Sequence, residues 1–157
     1  MSRSTIFQTS FTIERRMAVP PKTVFAAWAD PAARRRWSDC HPDALENTFA
    51  MDFQPGGGAL HRVVYADGAV QVVRMHHFDV TPPLRAVYAY EIELDGRRLS
   101  VSLVSVEFRA EAEGTLMAYA EQVAYLDGHY DIEERIHGTN EGFDRLELEL
   151  AEGPAGH

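Results

Sequence analysis

The sequence predicts an α+β fold: a curved sheet of seven antiparallel strands wrapped on a long C-terminal helix, with two short helices after the first strand. Three observations carry this prediction. Apolar and polar residues alternate over much of the chain, as they do in strands with one buried face. Asp-Gly pairs at 67–68 and 95–96 fall between such runs, which reads as two-residue hairpin turns. Towards the C-terminus the apolar spacing changes from two residues to that of a helix.

The strands are expected near 6–19, 45–54, 59–66, 69–80, 84–94, 98–110 and 114–125. In "LRAVYAYEIEL" the residues Leu84, Ala86, Tyr88, Tyr90, Ile92 and Leu94 face one way. In "LENTFAMDF" Leu45, Phe49, Met51 and Phe53 do the same, with Asn47 interrupting them. "PGGG" at 55–58 supplies another turn. Across "LSVSLVSVEF" the apolar face changes parity, from Leu99, Val101 and Leu103 to Val104, Val106 and Phe108. A bulge in mid-strand would do this.

Pro21 suits a first helical position, and Val24, Phe25, Ala27 and Trp28 follow it as one short apolar face. Pro31 breaks that helix at Asp30 and opens a second, 31–37, ending near Trp37. Trp28 is expected to pack on the sheet, and Trp37 to stand near a cavity mouth. The run Arg34-Arg35-Arg36 reads as a solvated helix face. Ile132, Ile136, Thr139, Phe143, Leu146 and Leu150 form one stripe of the long helix. That stripe must cover the concave side of the sheet. A single domain spanning 1–157 is expected, with its core at about 6–150 and a frayed tail at 151–157.

With 24 acidic against 15 basic residues, the net charge of −9 disfavours nucleic acid as a partner. No signal peptide is read at the N-terminus, and no apolar run reaches the length that spans a bilayer. A cytoplasmic protein without membrane insertion is the expectation. The one cysteine, Cys40, excludes an intrachain disulfide. Cys40-His41 beside Asp39 lacks the partners of a zinc set, and His61, His129 and His137 show no ligand spacing. No metal and no cofactor are expected.

Glu121 shares the bulky face of its strand with Met117, Tyr119, Val123 and Tyr125. A carboxylate there needs a partner, and Arg135 at the start of the long helix is the natural one. The alternative is a polar anchor or a general acid/base within a cavity. Of His76 and His77, adjacent on a strand, one must point inward; the flanking pattern does not decide which.

The runs "FTIERRMAVPPKTVFAAWADPAARRRW", "MDFQPGGG", "YAYEIELDGRRLSVSLVSVEF" and "EQVAYLDGHYDIEERIHGTNEGFDRL" resemble the SRPBCC, or START-like, superfamily. Within it the chain is similar to bacterial proteins related to the activator of the heat-shock chaperone ATPase, from about residue 10 to 150. The resemblance implies the helix-grip fold, with a cavity between sheet and helix. Its members include lipid and hormone binders, polyketide cyclases and co-chaperone domains.

The function expected is binding of a hydrophobic or amphipathic small molecule, lipid-like or aromatic, in that cavity. Trp37, Phe49, Met51, Tyr88, Tyr90, Tyr119 and Phe143 would bury it, with Glu121, Arg135 and one of His76 and His77 at its polar end. One alternative is a cyclase/aromatase- or hydrolase-like enzyme using Glu121 and the inward histidine. Another is an interaction module acting on a chaperone ATPase. A homodimer through a sheet edge or the short helices is also open.

Overall fold

In the computed structural model, which describes residues 4–39 and 41–152, the chain runs strand, two helices, six strands, helix. The described strands are β1 (Ile6–Met17), β2 (Glu46–Met51), β3 (Gly58–Val64), β4 (Val70–Thr81), β5 (Arg85–Leu94), β6 (Arg97–Glu111) and β7 (Gly114–Leu126). The helices are α1 (Pro21–Ala29), α2 (Pro31–Ser38) and α3 (Ile132–Glu152). All strands pair antiparallel in the order β1-β7-β6-β5-β4-β3-β2. The six-strand meander therefore receives β1 on its last strand, and α1, α2 and α3 pack together over the concave face. This is the helix-grip fold.

The break between the short helices is made by one residue. Asp30 closes α1 by donating its backbone N–H to Ala26, and opens α2 by accepting from the Ala32 N–H. Pro21 and Pro31 each occupy the first turn of their helix, where a missing N–H costs nothing. Trp28 packs edge-on against Trp37, with centroids 4.9 Å apart, and also meets Phe108, Tyr119 and Phe143. α3 packs on α2 at Gly142, where a Cβ would make an ordinary 3.5 Å contact with the Trp37 carbonyl oxygen.

Three local expectations are corrected. The parity change in β6 falls at Leu99, where the register against β5 shifts, and not in mid-strand. Beyond it Ser100, Ser102, Val104, Val106 and Phe108 point inward, while Val101 and Leu103 are exposed on the convex face. Asp67-Gly68 is the end of a three-residue turn, closed by Tyr65 pairing with Ala69 and with Gly68 in a left-handed conformation. Asp95-Gly96 keeps its two-residue turn, both residues at positive φ. Finally, Arg35 and Arg36 are exposed but Arg34 is buried, so the arginine run is not a solvated face.

A second bulge sits at Phe78 in β4, between the pairs His77–Tyr88 and Asp79–Val87. It explains why the sequence pattern around the two histidines is contradictory: inward parity changes there. His77 is buried and His76 exposed. His77 donates both its backbone N–H and its ring Nδ1–H to the Gly57 carbonyl, each at 2.9 Å. Gly57 cannot carry a side chain, because a Cβ would lie 2.3 Å from the Asp52 carbonyl oxygen.

Candidate functional site: a cavity between sheet and helices

A cavity of about 270 Å³ remains between Trp28, Arg34 and Trp37 of the short helices, Met75, Tyr88, Tyr90 and Tyr119 of the sheet, and Arg135, Thr139 and Phe143 of α3. Ser38 and Gly138, both exposed, mark its edge between α2 and α3.

Behind the tyrosines lies a buried polar cluster centred on Glu121. Tyr90 and Ser102 donate to its Oε2 at 2.5 and 2.7 Å, and Tyr119 donates to Oε1 at 2.6 Å. Arg135 stands 3.5 Å from the same Oε2. Its guanidinium also donates to Ser100 and Ser102, pairs with Asp131 at 3.2 Å and lies over the Tyr125 ring. The inward serines of β6 thus serve this pair. Burial, and then the Glu121 carboxylate, push the Tyr90 hydroxyl well above its ordinary pKa; Tyr119 is raised by burial and the charges around it. Both remain hydrogen-bond donors at any physiological pH. Burial alone would raise Asp131, but the Tyr125 hydroxyl and Arg135 outweigh it and hold that carboxyl low.

The opposite wall carries a second buried guanidinium. Arg34 is 3% exposed. It donates to the Trp28 carbonyl at 3.3 Å and the Tyr88 hydroxyl at 3.4 Å, and contacts the Met51 sulfur at 3.8 Å. Four rings surround it: Trp28, Trp37, Tyr88 and Phe53, with centroids 4.6 to 6.0 Å from its Cζ. Sequence reading missed this residue. The available signal was its position on one stripe of α2 with Ala33 and Trp37, all three buried.

Of the residues singled out from the sequence, Trp37, Tyr88, Tyr90, Tyr119, Arg135 and Phe143 line this cavity. Glu121 stands one layer behind it. Met51 touches Arg34, and Phe49 lies outside, edge-on to His61. His77 is in the layer beneath, against Phe53 and Tyr88; among the described residues its Nε2 has no hydrogen-bond partner. Trp37 is a wall and not a door: it is 4% exposed, and its indole N–H is fixed to the Ala27 carbonyl at 2.9 Å.

Cys40 lies outside the described residues. Its neighbours Asp39 and His41 meet His61 of β3, their ligand-capable atoms within 4.8 Å of one another. Residue spacing gave no sign of this, because tertiary contact between the α2–β2 connection and β3 creates it. Asn47 knits the group together, donating to Asp39 at 2.6 Å and bonding His61 at 2.7 Å, while His41 Nδ1 meets Asp39 at 3.0 Å. His41 Nδ1, His61 Nε2 and both Asp39 oxygens are engaged in these bonds. A broader depression of about 700 Å³ lies on the convex face, along Gln8, Ser10, Val101, Leu103 and Gln122, and no ionisable side chain among these points into it.

A sheet gripping a helix over a polar-lined cavity defines a class, and comparison with known proteins narrows it. Residues 18–151 match the model of the Activator of Hsp90 ATPase homolog 1-like protein family, and the chain belongs to that family. An uncharacterized protein from Rhizobium leguminosarum is 41% identical to it, with a TM-score of 0.84 over 91% of this chain and 94% of that one. A protein from Rhizobium loti is 32% identical, with a TM-score of 0.84 over 92% and 99% of the two chains. A Chromobacterium violaceum protein at 16% identity shares the fold, with a TM-score of 0.69 over 88% and 94%. Among curated proteins none matches. No described helix is long and apolar enough to cross a membrane.

Proposed function

We propose that the protein binds a small amphipathic molecule in the cavity between the sheet, the short helices and α3. The observation that supports this most is the make-up of the walls. A filled core at this position would be closed by Leu and Phe; here three tyrosines and two arginines line a space of about 270 Å³. Small-molecule sites combine apolar walls with a few fixed polar groups in this way. At the ~30 Å³ a water occupies in the liquid, the space corresponds to about nine waters. That size supports a single-ring aromatic compound over a long acyl chain.

The enzyme reading draws less support. Glu121 accepts three hydroxyl hydrogen bonds and faces Arg135, so its lone pairs are engaged by the protein and not turned to a substrate. Native mass spectrometry of the purified protein, with analysis of whatever denaturation releases, tests the binding reading. A released small aromatic, or a raised Tm with members of a library of such compounds, is the expected result. A clean apo mass with no shift across the library would overturn it.

A further inference from the structure

The two arginines of the cavity differ in one respect that bears on the ligand's chemistry. Arg135 has carboxylates at 3.2 and 3.5 Å. Arg34, as deeply buried, has no acidic side chain within ion-pair distance among the described residues. A guanidinium carries five N–H donors and a permanent charge. Taking such a charge out of water is costly unless a counter-charge or a full set of acceptors replaces it. The surrounding rings offset part of that cost through cation–π contact. The remaining contacts are long and neutral, and one of them is to sulfur. Both Nη atoms of Arg34 thus have neutral acceptors but no counter-charge, and on the same wall the buried indole N–H of Trp28 has no partner among the described residues.

We infer that the ligand is a small aromatic carboxylate whose anionic group is received by Arg34, its ring lying among Trp37, Tyr88 and Phe143. This rests on the binding reading above and adds the ligand's charge. The fork of a guanidinium matches the two oxygens of a carboxylate. A phosphate, with three terminal oxygens and a second charge, would call for more donors than this wall offers. The cationic, ring-lined end also discriminates against amines, which would face Arg34 with like charge.

The test is calorimetric titration of the full chain with benzoate, phenylacetate and 4-hydroxybenzoate, each against its neutral alcohol or amide, and with phenyl phosphate. The acids are expected to bind at least 10-fold more tightly than the matched neutral compounds. In Arg34→Met that preference should vanish while binding of the neutral compounds persists. Equal affinity of acid and neutral compound in the unmodified protein would overturn the assignment and leave cavity binding standing. That arm needs no variant. A preference that survives in Arg34→Met, or tighter binding of phenyl phosphate, would overturn it too. Failure of every compound to bind would remove the cavity reading, and this inference with it.

Discussion

Arg135 and Arg34 are buried on opposite walls of one cavity, and the protein treats them differently. Arg135 is enclosed by its own counter-charges, Glu121 and Asp131, and by the hydroxyls of Ser100 and Ser102. Burial would lower its pKa, but Tyr90 and the two carboxylates around it raise it further. Arg34 is enclosed by rings. The first arrangement is complete in itself and ties α3 to β6 and β7. The second has neutral acceptors but no counter-charge among the described residues. On the binding proposal, one sequence feature, a buried arginine, means architecture in one place and recognition in the other.

The sharpest way to break this comparison is to replace each arginine by methionine and measure urea unfolding without ligand. Arg135→Met strands Glu121 and should cost about 3–5 kcal/mol, the usual penalty for removing one partner of a buried pair. Arg34→Met leaves no charge behind and puts an apolar chain among rings, so its stability should stay within about 1 kcal/mol of the parent. Comparable losses from both would end the distinction.

A smaller effect is expected from Glu121→Gln, which keeps the shape but withdraws one of the counter-charges of Arg135. Three hydroxyls can reorient around an amide, so a loss of about 1–3 kcal/mol is expected, below that of Arg135→Met. If the glutamine variant is the less stable of the two, the carboxylate and not the pair is what the fold requires.

The smallest effect is a titration. Burial first, then the nearby Arg34 charge, lower the pKa of His77; its bond to Gly57 opposes them only in part. Above the ordinary histidine value of about 6.5 the ring is neutral in both folded and unfolded chains, and stability does not depend on it. Below that value the unfolded chain takes up the proton first. Stability therefore falls as the pH drops towards the lowered folded pKa. His61, lowered mainly by burial, adds a loss of the same sign. Following the His77 ring by NMR should show its pKa rise in Arg34→Met and stay put in Arg135→Met. No change in the first would place the Arg34 charge too far away to matter.

Much of this was legible beforehand. Period-two alternation, Asp95-Gly96 and the stripe from Ile132 to Leu150 carried the meander and α3, because each is a local rule. The Glu121–Arg135 pair was one of two readings: a carboxylate on a bulky face needs a partner, and Arg135 opens the long helix beside it. What escaped were features that only assembled contacts create. The bulges at Phe78 and Leu99 reverse which residues face in, so Ser100 and Ser102 could not be read as interior. Arg34 looked like its neighbours Arg35 and Arg36, although α2 turns it by helical geometry onto the buried side with Trp37. Asp39 and His41 meet His61 only once the connection between α2 and β2 folds against β3.

The packing of α1 against α2 has a consequence for measurement. Trp28 and Trp37 are the only tryptophans in the chain, they touch one another, and both form the wall of the cavity beside a guanidinium. All of the indole emission therefore originates at the site itself. A molecule entering there, or the exchange of Arg34 for a neutral residue, alters the surroundings of both emitters at once. If the proposed ligand binds, the protein carries its own optical probe of it, with no label to attach and no other indole in the chain.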